Sequence, residues 1–167
     1  MNIEKEINQI KKELEDHKER ISELERSIKT KELEILKKPE DGIKKLAKKV
    51  NVSKEKIREI FDFGDETLTL VKVIGANPKE KTQNVSSLIL LGYEYCFNKN
   101  EVLSQEIRRN VGENGIPLEN FATYLNELVP SLVRRKGKQK SPKTTYRLTV
   151  FGESKARELI KKLCGGD

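Results

Sequence analysis

Histidine occurs once in this chain, methionine once, cysteine twice and tryptophan not at all. Those scarcities exclude a good deal. Cys96, Cys164 and His17 are too few and too scattered for a zinc site, and the cysteines have neither CxxC spacing nor the makings of a disulfide framework. No Ser/His/Asp or Cys/His set can be assembled around a single histidine, and no glycine-rich loop is present to cradle a nucleotide phosphate. The expectation is therefore a protein that is not an enzyme and has neither metal nor cofactor; no small-molecule effector can be read. Long apolar runs are missing too. The longest, LILLGYEYCF at 88–97, is too short and too polar to span a bilayer. With charge from Glu4 onward there is no secretory leader to read, so a cytoplasmic chain without a membrane partner is expected.

What the chain has in abundance is charge. Charged residues make up 37% and hydrophobic ones 35%, a balance that a long solvated helix would produce. Lys and Glu dominate, Ile is frequent and Gln is scarce, from which an archaeal or thermophilic source is expected. The net charge of +7 is unevenly distributed. Residues 1–38 are neutral and residues 39–130 carry −1, whereas residues 131–164 hold eleven Lys or Arg against only Glu153 and Glu158. A cationic excess focused in one stretch suits a polyanion better than a uniformly basic surface would.

At the other end, apolar residues recur at alternating steps of four and three. Ile7, Leu14, Ile21, Ile28 and Ile35 take heptad position a, and Ile3, Ile10, His17 and Leu24 take position d. Facing g and e' positions pair Glu6 with Lys11, Glu13 with Lys18 and Arg20 with Glu25, each opposite in sign. Such a seam predicts a parallel, self-associating coiled coil over residues 1–38, a dimer in the first instance, with a trimer open because Ile occupies both core positions. Pro39 and then Asp41-Gly42 are expected to break this helix.

Residues 40–75 predict a second unit resembling a helix-turn-helix. Leu46, Ala47 and Val50 form one apolar stripe, Ile57, Ile60 and Phe61 another, and Asn51-Val52-Ser53 supplies a turn with Ser53 as cap. A packing-only helical hairpin is the alternative, because Lys54, Glu55, Lys56, Arg58 and Glu59 are mixed in sign. The strand-like TLTLVKVIG follows, then ANPKEKTQ as a linker.

Residues 84–164 read as helix, helix, helix, strand, basic loop, strand, helix. The helices are NVSSLILLGYEYCF, VLSQEIRRNVGENG with Ser104 as a possible cap, PLENFATYLNEL opened by Pro117, and ESKARELIKKL. Between the last two lies LVRRKGKQKSPKTTYRLTVFG. In its LSQEI, its Phe121-x3-Leu125-x2-Leu128 spacing and its TTYRLTVFG strand closed by Gly, this stretch resembles the winged helix-turn-helix domain of bacterial and archaeal transcriptional regulators. The fold class that follows is mainly α with a small β-hairpin wing, behind a coiled-coil helix and a helix-turn-helix-like connector.

The resemblance implies double-stranded DNA as partner, the third helix entering the major groove and the wing meeting phosphates or the minor groove. On that helix Asn120, Thr123, Tyr124 and Glu127 lie away from the apolar side and have the chemistry to reach base edges or phosphates. On the wing Arg134, Arg135, Lys136, Lys138, Lys140, Lys143 and Arg147 would supply the affinity. Two other functions fit the same residues. One is an architectural or segregation-type nucleic-acid binder, including an RNA binder, with weak sequence preference; the other is a coiled-coil scaffold whose winged domain binds protein.

Overall fold

The computed structural model describes residues 3–139, 141 and 143–165, with the side chains of 4 and 29–38 left out. The chain is mainly helical with small antiparallel sheets, and it divides into two compact units, 1–37 and 38–167. Helix α1 spans Ile3–Val50. In the first unit Ile3, Ile7, Ile10, Leu14, Ile21, Leu24 and Ile28 are 46–66% exposed, and His17 is exposed as well. The expected seam residue Ile35 lies among the side chains outside the described set.

The expected break at Pro39 and Gly42 does not occur, since both lie inside α1. Burial wins over propensity there. A helix-interior Pro costs about 3 kcal/mol, whereas Ile43, Leu46 and Val50 are all at most 3% exposed. At roughly 1.5–3 kcal/mol each their burial outweighs the proline. Gly42 serves the same packing: a Cβ there would stand 2.3 Å from the Cys96 Cα, so only glycine lets α1 approach its neighbour this closely.

Asn51 at φ 58° makes the tight turn, and Ser53 caps α2 (Lys54–Ile60) by accepting from the Lys56 N–H at 3.4 Å. Phe61 leaves the helix and begins a hairpin of β1 (Phe61–Phe63) and β2 (Leu68–Leu70). Helix α3 (Pro78–Phe97) begins within what reads locally as linker. Asn77 accepts from the Glu80 N–H at 2.9 Å, Glu80 accepts from the Ala76 N–H at 2.9 Å, and Pro78 occupies the first helical turn. Packed by β2, α4, α5 and α6, α3 forms the centre of the second unit.

Strand β3 (Val102–Leu103), α4 (Ser104–Glu113), α5 (Phe121–Asn126), β4 (Val133–Lys136), β5 (Thr145–Leu148) and α6 (Val150–Leu163) complete the chain. Ser104 is the first residue of α4 and not its cap; the Glu106 carboxylate accepts from the Leu103 N–H at 3.4 Å instead. Helix α5 does not open at Pro117. Asn114 and Gly115, the latter at φ 69°, turn the chain, Ile116 is buried and its N–H donates to the Val111 carbonyl at 3.2 Å, and the helix starts four residues after Pro117. Val150 and Phe151, expected in the strand, lie in the first turn of α6, capped by Thr149. Gly152 is buried there, where a Cβ would meet the Leu132 carbonyl at 1.9 Å.

Residues 40–75 and 84–164, separate units by sequence, share one core running from Ile43 to Ile160. Asn110 of α4 fastens them together. Fully buried, it accepts from the Leu70 N–H at 2.9 Å and donates to the Leu68 carbonyl at 3.0 Å, while Asn114 donates to the Leu70 carbonyl at 3.0 Å. These amides pair polar groups of the β2 backbone that the core would otherwise leave unsatisfied.

Candidate nucleic-acid interface

Period-two alternation sorts the basic residues of β4 and β5. Val133 pairs with Leu148, Arg134 with Arg147, Arg135 with Tyr146 and Lys136 with Thr145. Strand β5 lies between β3 and β4, so Val102 also faces Tyr146 across the sheet. Arg134 and Arg147 point outward, directly opposite one another and both exposed. Like charges in that relation destabilise a hairpin unless an anion comes between them.

The next pair behaves differently. Arg135 is half-buried beside the buried Tyr146, and its Nη1 donates to Asn126 Oδ1 of α5 at 2.5 Å. Lys136 reaches Glu101 at 3.4 Å, and Thr145 Oγ1 donates to the same carboxylate at 3.0 Å. The Thr145 hydroxyl, then the charges of Lys136 and Arg147, hold the Glu101 carboxyl below its ordinary pKa. Burial raises the pKa of the Tyr146 phenol, against the opposing effect of Arg135.

At the hairpin tip the chain is turned by its own hydrogen bonds. The Ser141 N–H donates to the Lys138 carbonyl at 3.2 Å, the Thr144 N–H to the Ser141 carbonyl at 3.1 Å, and the buried Thr144 hydroxyl back to the Lys138 carbonyl. Lys138 and Lys143 project from this tip, exposed. Lys140 lies outside the described residues. Among those described, Arg134, Lys138 and Lys143 take part in no salt bridge.

Helix α5 buries Phe121 and Leu125 and turns Asn120 and Thr123 outward. Tyr124 is half-buried. Glu127 is engaged by α3: Lys79 approaches its carboxylate at 2.6 Å and Gln83 donates to it at 3.1 Å. Between α4, α5 and the hairpin runs a groove lined by Ser104, Arg108, Glu119, Ala122, Ser141 and Tyr146. Arg108 sits over the Phe121 ring at 5.7 Å. Arg108, absent from the residues expected at the interface, is marked in the sequence only as one of two adjacent arginines on a helix.

The cations on and beside α2 are engaged by other groups, Lys56 by the Cys164 carbonyl at 3.0 Å. Lys54 and Arg58 both pair with Glu40, the former at 3.6 Å, and Lys72 pairs with Glu59 at 2.6 Å. The α2 face therefore offers little to a phosphate. Among the described residues no His/Cys/Asp/Glu group could hold a metal ion, and no helix is long and apolar enough to cross a membrane. Burial pushes the Cys96 thiol up to about 12, which makes it an inert core residue. No family model, curated protein or solved structure matches the chain.

Proposed function

We propose that the chain is a homodimeric DNA-binding protein, in kind a transcriptional regulator, whose residues 84–164 act as a winged helix-turn-helix domain. One observation carries the reading: the hairpin after α5 aims Arg134, Arg147, Lys138 and Lys143 outward. Cations held this way gain when phosphates dock, because counterions leave the nucleic acid and the repulsion between Arg134 and Arg147 is relieved. The element order α3-β3-α4-α5-β4-β5-α6, with β5 central in its sheet, supports the resemblance from which the reading began.

In this reading α5 enters the major groove. Asn120 is available for a bidentate pair with adenine, and Thr123 for a thymine methyl or a phosphate. Residues 3–37 would pair two chains through the exposed isoleucine and leucine seam, so the target is a repeated or palindromic site. Only Asn120 and Thr123 of the four helix candidates are both exposed and unengaged by α3, which also favours a second reading, an architectural binder of weak sequence preference. Selecting bound fragments from a pool of random duplex DNA decides between them. A recovered motif with internal symmetry supports the regulator, while retention without a motif supports the architectural protein. No retention at low salt overturns both.

A further inference from the structure

Helix α5 is six residues long, far below the length at which a helix holds itself together. Phe121, Leu125 and, just past its end, Leu128 are buried and fix how deeply it sits, but apolar contacts along one side constrain depth more than rotation and tilt. Those are set by polar contacts at its C-terminal end, arriving from two directions. From α3, Gln83 Nε2 donates to the Tyr124 carbonyl at 3.1 Å and to Glu127 at 3.1 Å. From β4, Arg135 donates to Asn126 at 2.5 Å.

Arg135 thus differs from its neighbours on the wing. It lies on the inner side of the strand beside Tyr146, and its guanidinium already has an acceptor. That bond commits Nη1 and turns the guanidinium toward α5, away from the outward direction Arg134 takes. We propose that Arg135 and Gln83 are positioning residues, which fix the pose of α5 so that Asn120 and Thr123 present a set geometry to the base edges. Sequence preference is then determined partly by residues that never touch DNA, and wing strand and helix move as one body.

This inference rests on the DNA-binding reading, so its test has one arm with DNA and one without. With DNA, full-length Asn126→Ala, Gln83→Ala, Arg135→Gln and the double variant Arg135→Gln/Asn126→Ala are compared on the selected site and on random duplex. Asn126→Ala removes the acceptor without changing any charge. It should lower the ratio of specific to random affinity by roughly 5- to 150-fold, the worth of a misplaced base contact. Arg135→Gln should lower it similarly, the double variant no further, and the salt slope should stay at the wild-type value in all.

Without DNA, amide hydrogen exchange in residues 123–129 should quicken in Asn126→Ala and Arg135→Gln, while α3 and α6 amides keep their rates. Two results overturn the proposal. One is Arg135→Gln weakening specific and random binding equally with a shallower salt slope, the behaviour of a phosphate ligand. The other is unchanged exchange in α5. If the wild type selects no DNA sequence, the sequence-specific reading has failed, and the exchange arm still decides whether the contact holds the helix.

Discussion

Replacing Arg134, Lys138, Lys143 and Arg147 together with Gln removes the outward charge of the wing while leaving Arg135, Lys136 and the hairpin hydrogen bonds in place. Each lost phosphate contact removes about 0.9 from the slope of log K against log salt on duplex DNA. If two to four of these residues per wing meet phosphate, a dimer should lose about 4–7 units of slope. The loss should be the same on the selected site and on random duplex, because phosphates are common to both. Folding should not suffer, since all four side chains are exposed and Arg134 stands directly opposite Arg147. Neutralising a like-charged cross-strand pair removes a repulsion. The assay is a salt titration of binding by anisotropy, with thermal melting as the control for folding. A quadruple variant that melts like wild type and keeps the wild-type slope would refute the reasoning, and the protein-binding scaffold would then become the better account of the wing.

Three further outcomes are expected. Residues 38–167, a compact unit of their own, should sediment as a monomer where the full chain sediments as a dimer; a trimer would leave the seam right and its order wrong, and equal oligomeric states would remove the seam. Asn110→Ala should lower unfolding free energy by about 2–4 kcal/mol in urea titration, because it strands two buried backbone groups of β2; a loss under about 1 kcal/mol would mean water replaces the amide. Burial, and then the charge of Glu153, hold the Glu94 carboxyl above its ordinary pKa, so folding favours its neutral form. Its contribution is full below the unfolded pKa and lost as pH rises through the folded one. Glu94→Gln should therefore melt higher than wild type near neutral pH, with the difference vanishing in acid; a constant difference would assign it to packing.

Where local chemistry decides, the sequence was readable. Asn51 and Ser53 make their turn and cap from the residue types alone, and the alternation of TYRL gives β5. The start of α3 is legible as well: Asn77, Pro78 and Glu80 are a helix-opening signature inside a segment whose composition is that of a linker. Other features depend on distant partners. Strand β3 has two residues, defined only by pairing with Thr145 and Tyr146 far along the chain. Gly42 carries the local signal of a helix end, yet its role is set by Cys96 on another helix. The contact between Arg135 and Asn126 is invisible in a count of charges, because both an engaged arginine and a free one add +1.

That last point changes what the cationic excess means. Of the seven basic residues between 134 and 147, Arg135 is committed to Asn126 and Lys136 to Glu101. On α6, Lys155 and Arg157 lie near Glu158 and Glu153 of their own helix, and Lys161 and Lys162 occupy its last turn, where the helix dipole favours cations. Fewer of these cations are without a protein partner than the count suggests, and on the wing the exposed ones outside any salt bridge, among the described residues, are Arg134, Lys138, Lys143 and Arg147. Helix α5 itself contains no Lys or Arg. On the proposed reading affinity and preference lie on different elements, and substitutions should separate them: wing variants should shift every duplex together, whereas Asn120→Ala with Thr123→Ala should lower binding to the selected site alone. A single base-edge contact is worth roughly 1–3 kcal/mol of that difference. Equal losses from the α5 variant on both duplexes would mean the helix meets only backbone, and preference would then have to come from the shape of the DNA.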